Sequence, residues 1–190
     1  FYTDASLTTV SSKIGNDSDS GNQNGSNGFV DVAASDLAGS GTAADPYVIT
    51  NVSELQAMED DTGAHYQLGA DIDASGTPEW NNGSGFDPVE FFRGSLDGDN
   101  HVITGLYINR SNSNFVGVFS DFDASGKISH IGLEAADVTG SYATGPLIEI
   151  ASANGTVNDS YATGTASGST VGGLVGAVSD NAKINNSRAA

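Results

Sequence analysis

The sequence predicts an all-β fold, a parallel β-helix whose short coils stack into a solenoid, and three observations carry that expectation. A glycine-rich unit recurs at a spacing of 27 to 29 residues, as GKISHIGLEAADVTGSYATGPLIEI (126–150), GTVNDSYATGTASGSTVGGLVG (155–176) and AKINNSRAA (182–190). Each unit is too small to close a core alone, so it must bury its apolar edge on its neighbours. The anchors keep one offset pattern: Ile103, Ile128, Val157 and Ile184 are followed three residues on by Leu106, Ile131, Ser160 and Ser187, and five on by Ile108, Leu133, Ala162 and Ala189. A second ladder sets Gly117, Gly145 and Gly172 two residues before Phe119, Leu147 and Leu174. Between the anchors lie short apolar pieces (YVIT, HVITGLYI, FVGVF, STVGGLVG) punctuated by Gly, Ser, Asn and Asp, the spelling of strands and turns rather than helices. With strands about 4.8 Å apart, roughly five coils, starting near Tyr47, Phe91, Phe115, Ala143 and Thr170, would rise about 20 to 25 Å. The inward rows thin from Ile and Leu to Ser and Ala, so the last coils are expected to be narrower or less stable.

Residues 1–37 stand apart, and the solenoid domain is expected over 38–190. FYTDASLTTVSSKIG suits a lone strand, either an arm (1–14) pairing with the strand edge of a neighbouring subunit or a strand covering its own domain. GNDSDSGNQNGSNG (15–28) has too little apolar surface to offset its ordering entropy and reads as a flexible linker. One short helix follows: Ser53 and Gln56 have capping-box spacing, Leu55 and Met58 share a side, and Gly63 can end it. A solenoid needs a lid over its open end, so this helix is expected as the N-terminal cap. The other end shows no such lid. Its last coil would present unpaired backbone groups and an apolar floor, which invites head-to-tail docking of another copy into an open filament; continuation of the chain into further repeats is the alternative.

Here the pattern resembles the GLUG-motif proteins of bacterial and archaeal surfaces. VGGLVG (171–176) with 182–187, and the strand VNDSYATG (157–164), are similar to that family's unit. The lead-in GSGTAADPYVIT, SELQAM, YQLGADID and FFRGSLDGDNHVITGLYIN resembles the segment that opens such domains. The likeness covers about 39–190 and departs at Pro146, where the motif expects glycine. It implies a right-handed parallel β-helix on an exported, often adhesive, protein, and brings no catalytic residues with it.

Charge sharpens the setting. The net charge is -18, from 24 acidic against 6 basic side chains, which excludes nucleic acid as a partner. Such self-repulsion is tolerable where the Debye length is only about 3 Å, near 1 M salt, so a halophilic source is expected. There is no cysteine, leaving stability to stacking, and no apolar run approaches the roughly 18 residues of a membrane span. The chain begins at Phe1, which fits either a processed precursor or a piece of something longer. A secreted or cell-surface location is expected.

Two further constellations point to chemistry. N-x-S/T occurs at Asn16, Asn24, Asn51, Asn82, Asn109, Asn154, Asn158 and Asn185, eight sites where composition alone gives about three. A glycoprotein is expected, although Asn158 and Asn185, one coil apart, fit an asparagine ladder equally well. The repeat register places Asp97 and Asp99 nearly beneath Asp121 and Asp123, and loop carboxylates of this kind suit Ca²⁺; the alternative is ordinary turn aspartates. Asp71 and Asp73 repeat the D-x-D spelling. His65, His101 and His130 read as turn or surface residues. An enzyme is not expected: polysaccharide lyases and hydrolases on this architecture need a placed base beside their acids, and Arg93, Arg110 and Lys127 fall in no recognisable motif. The expected function is therefore a structural subunit of a surface filament. An adhesin stalk or viral fibre that binds host or cell-surface glycans is the alternative, with Trp80, Phe91 and Phe92 near the WNNGSGF insertion (80–86) as the binding face, unless those aromatics simply fill the wide first coils.

Overall fold

The computed structural model describes residues 32–122, 125–152, 154–179 and 181–189; the arm 1–14, the tract 15–28, Asn16, Asn24 and Asp123 lie outside them. The chain winds as a β-solenoid of about four turns whose successive strands pair in parallel across four faces. The first face is the six-strand stack Tyr47–Ile49, His65–Leu68, Ser95–Asp97, Lys127–Ser129, Thr156–Asn158 and Lys183–Asn185. The second holds Ile72–Asp73, Val102–Thr104, Gly132–Thr139, Tyr161–Ser167 and Arg188–Ala189, with Tyr107–Asn109 also paired to Gly132–Thr139. Phe115–Val116, Ala143–Thr144 and Thr170–Val171 make the third face; Val89–Glu90, Phe119–Ser120, Ile148–Ala151 and Val175–Val178 make the fourth.

Two of the five expected coil starts move. Phe115, Ala143 and Thr170 do stack. Tyr47, however, lies on the first face against Tyr66. Phe91 follows the fourth-face strand Val89–Glu90, in a turn at φ 54°. The complete turns run from His65–Leu68 onward, and Tyr47–Ile49 adds one extra rung.

Register corrects the first ladder as well. The true first-face column is Tyr47, Tyr66, Leu96, Ile128, Val157 and Ile184. Ile103 belongs to the second face, in the column Ile72, Ile103, Leu133, Ala162 and Ala189, and Ile108 pairs with Val138 rather than Leu133. The slip has a local cause. Leu96 is seven residues before Ile103, whereas Ile128 is five before Leu133; the extra length is spent in the turn Gly98–Asp99–Asn100–His101, with Asp99 and Asn100 both left-handed. All of these anchors are buried except Tyr47, which is half-buried, and Ile184 and Ala189; Ile184, on the last described rung, is 38% exposed. The second-face column shrinks from Ile to Ala along the chain, as expected. The glycine ladder holds through Gly145, but Phe119 stacks on Ile148 and not on Leu147, because two residues, Pro146 and Leu147, separate Gly145 from Ile148 where only Val118 separates Gly117 from Phe119.

The helix spans Val52–Gln56 and continues as a 3-10 turn, Ala57–Asp61. Its N-cap is Asn51, two residues before Ser53: the Asn51 carboxamide accepts from Glu54 N–H at 3.0 Å, and the Glu54 carboxylate accepts from the backbone and hydroxyl of Thr50 at 2.6 and 2.8 Å. An Asn cap answered by Glu at the third helical position satisfies the orphan amides better than Ser53 could. Leu55 and Met58 are fully buried in the core, as the cap reading requires. Residues 32–38 join this lid: Leu37 enters the core, Ala34 N–H donates to Asp60 at 3.1 Å, and Ala38 bridges Val48.

Inside the wide first turns runs a chain of aromatic contacts, Tyr47 to Tyr66 at 5.6 Å, Tyr66 to Phe92 at 6.4 Å, and Phe92 to Phe119 and Phe122 at 4.9 and 6.2 Å. Phe92 and Trp80 thus fill the core, while Phe91 is 51% exposed. The binding face imagined from these three residues together does not exist.

Candidate functional site

The insertion that carries Trp80 turns out to build a groove. Trp80 anchors it, and the backbone of Phe86 donates to Tyr107 O at 2.9 Å while that of Asn109 donates to Ser84 O at 2.8 Å, laying 84–86 antiparallel to 107–109. Asn81 and Asn82 adopt left-handed backbone (φ 51° and 56°), a conformation Asn tolerates better than most residues. The resulting groove of about 420 Å³ is lined by Asn82, Ser84, Asn109, Arg110, Asn112 and Ser113, with Gly83 and Ser111 completing it.

Arg110 is held in place from the helix. The buried Gln56 carboxamide bonds both ways to the backbone of Asp87, donating to its carbonyl and accepting from its N–H at 2.9 Å each. Asp87 in turn places a carboxylate oxygen 2.9 Å from Arg110 Nη2 as an ion pair. The Arg110 Nε–H is sealed from solvent without a hydrogen-bond partner. This cation therefore enters the groove already neutralised by its own carboxylate.

Two residues past Ser113, Phe115 stands edge to face with Tyr142, ring centroids 6.4 Å apart, the two residues 46% and 55% exposed. The N–H groups of Ser141 and Ala143 donate to the carbonyls of Ser113 and Asn114 at 2.8 Å, which seats Tyr142 beside the residues that close the groove.

A second polar feature runs up the corner between the first and second faces. Asp71 faces His101 Nδ1 at 3.0 Å, Asp97 faces His130 Nδ1 at 2.9 Å, and His130 Nε2 lies 3.9 Å from Asp159. The Asp97 bond holds the His130 imidazolium pKa above its ordinary value. The backbone N–H of Val102, then the His101 ring, hold Asp71 below the carboxylate range. Asp159 also accepts from Asn186, and Asn185 Nδ2 donates to Asn158 Oδ1 at 2.8 Å, the asparagine ladder anticipated from their spacing. His101 and His130 were legible as turn residues. Their partners were not, because each Asp lies about 30 residues away, on the neighbouring turn.

The register separates the proposed calcium ligands. Asp97 stacks on Ser129, with Asp99 beside it, whereas Asp121 sits after the fourth-face strand Phe119–Ser120 with its N–H bonded to Glu149 at 3.2 Å. The two D-x-D turns therefore lie on different corners, and among the described residues no group of three or more His, Cys, Asp or Glu side chains is placed to hold a metal. Of the sequons, Asn82, Asn109 and Asn154 are exposed, Asn51 is committed to the helix cap, and Asn158 and Asn185 are committed to their ladder.

Sequence reading missed Glu149. It is buried, and desolvation pushes its pKa up to about 7 despite the Asp121 N–H that it accepts. An acid whose folded pKa exceeds its unfolded value of 4.5 leaves stability untouched below the lower figure. It withdraws stability as pH rises between the two, because the unfolded chain releases its proton first. The full penalty above pH 7 is up to about 3 kcal/mol. Glu149→Gln keeps an acceptor for Asp121 and removes the titration. In paired thermal melts its Tm should match wild type at pH 4 and exceed it by several degrees at pH 8; an equal difference at both pH values would contradict the burial penalty.

Comparison with known proteins places this architecture. The chain is 42% identical over 160 residues to Halomucin of Haloquadratum walsbyi, a match covering 78% of this chain and 2% of that protein. It is 31% identical over 112 residues to a protein of Evansella cellulosilytica provisionally named a Gly-rich membrane protein, covering 56% of this chain and 12% of the other. A crystal structure from Bacteroides ovatus, provisionally named an immunoglobulin A1 protease, superposes with a TM-score of 0.58 at 26% identity, covering 78% of this chain and 49% of that one. No family model matches the chain. The chain thus spans a small fraction of its sequence relatives and about half of its structural neighbour. No helix among the described residues is long and apolar enough to cross a membrane.

Proposed function

We propose that this chain is a structural solenoid unit of an exported, surface-associated protein in a high-salt setting, stacking end to end with further copies into a filament. Its likeness to Halomucin and to a protein named for a membrane supports the surface setting, and its net charge of -18 supports the salt. The carrying observation is the unbroken first-face column, Tyr66 to Val157 fully buried rung on rung and Ile184 exposed at its end, a surface onto which another rung of the same spelling fits. Val171 and Val178 add exposed apolar surface on the same turn, at 47% and 51%. A glycan on Asn154 would project from a turn, clear of the stacked edge.

Electron microscopy of the purified chain in concentrated NaCl tests this reading. Wild type should form rods or short filaments, and Ile184→Asp should disperse them to single particles while keeping its circular-dichroism spectrum. Wild-type protein that stays monomeric at high concentration, or Ile184→Asp rods of undiminished length, would contradict end-to-end assembly.

A further inference from the structure

We propose that the groove lined by Asn82, Ser84, Asn109, Arg110 and Asn112 is a saccharide-binding site, with Phe115 and Tyr142 as the platform for a sugar ring. This binding role does not depend on end-to-end stacking. Three observations converge. The groove of about 420 Å³ is within the size range of ligand sites, and its lining is carboxamide, hydroxyl and guanidinium, groups that donate and accept as a vicinal diol does. Two residues past its Ser113 wall, Phe115 stands with Tyr142 as an exposed edge-to-face pair, where most other large aromatics among the described residues are buried. Aromatic rings offer an apolar face beside polar groups, the arrangement that suits the mixed faces of a pyranose. The walls are also preorganised: helix, Gln56, Asp87 and Arg110 form one continuous chain of polar contacts, and fixed walls reduce the ordering cost of binding.

Charge selects the class of sugar. Arg110 is already paired with Asp87 at 2.9 Å, so an acidic saccharide gains no free cation, and at low salt it also meets the field of a protein of net charge -18. The ligand is a neutral, hydroxyl-rich oligosaccharide.

Isothermal titration of the unglycosylated recombinant chain with cellotetraose, mannotetraose and tetragalacturonate tests the assignment. At least one neutral tetrasaccharide should bind with Kd of about 1 mM or tighter, and tetragalacturonate should bind at least tenfold more weakly. Phe115→Ala and Asn112→Ala should each weaken binding about 5- to 10-fold, both positions being exposed and so expected to fold. Phe91→Ala, an equally exposed aromatic in the turn after the fourth-face strand Val89–Glu90, should leave it unchanged. Absence of binding by all three sugars, tighter binding of the acidic one, or an equal loss in Phe91→Ala would each overturn the proposal. So would a native chain whose own glycan on Asn82 or Asn109 occupies the groove.

Discussion

Phe92→Ala should destabilise the solenoid by about 3 to 5 kcal/mol, seen as a large drop in the denaturation midpoint with little change in slope. Phe92 is completely buried and touches rings from two turns: Tyr66 at the start of its own turn, and Phe119 and Phe122 on the next. Truncation removes transfer free energy and leaves a cavity that neighbours in separate rungs cannot collapse to fill, since each rung is pinned by its parallel hydrogen bonds. The thin second-face column offers a control. Ala162 sits where earlier turns hold Ile103 and Leu133, so the last turns contribute less burial per rung. Proteolysis or hydrogen exchange should open that end before the aromatic end.

Gly145→Ala should be comparably severe for a different reason. A Cβ at Gly145 would come within 2.2 Å of Gly176 N and 2.2 Å of Ile148 O, with Val175 C at 2.7 Å. All three are backbone atoms, so no side-chain rotation relieves the clash; either the turn Pro146–Leu147 or the next rung must shift. Gly83→Ala is the matched control, because a Cβ there meets nothing within 4 Å, although its φ of 86° still favours glycine. The expected result is loss of cooperative unfolding or of soluble expression for Gly145→Ala, and a loss of about 1 kcal/mol for Gly83→Ala. Equal stabilities would mean that the glycine ladder is not a close backbone contact.

The contrast between what sequence revealed and what it hid follows from where information is local. The repeat made the solenoid and the Asn158–Asn185 ladder legible, because stacking returns the same spelling to the same place every turn; the lid helix was legible from its local pattern, though its N-cap is Asn51 and not Ser53. Register failed at Ile103, where two extra turn residues shift a whole face without changing the apolar pattern that precedes or follows. The same slip misplaced Asp97 and Asp99 beneath Asp121. The groove was invisible for a related reason: its walls, 82–84 and 109–113, come from separate parts of the sequence joined by the Gly85–Ile108 bridge and the bond from Asn109 N–H to Ser84 O, and Trp80, which looked like a surface aromatic, is buried. Glu149 was hidden by its neighbours, since nothing in PLIEIA distinguishes a buried acid from a solvated one.

Register is the claim on which the account rests, and a chain without cysteine allows it to be read covalently. Adjacent rungs about 4.8 Å apart fall within the reach of a disulfide. The pair Thr104→Cys with Glu134→Cys joins residues that stack, whereas Thr104→Cys with Ser129→Cys joins residues that would stack only if Ile103 lay over Ile128. Oxidation under native conditions should cross-link the first pair quantitatively and leave the second reduced, as judged by thiol titration and peptide mapping. Cross-linking of Thr104 to Ser129, with Thr104 to Glu134 left free, would contradict the stack described above.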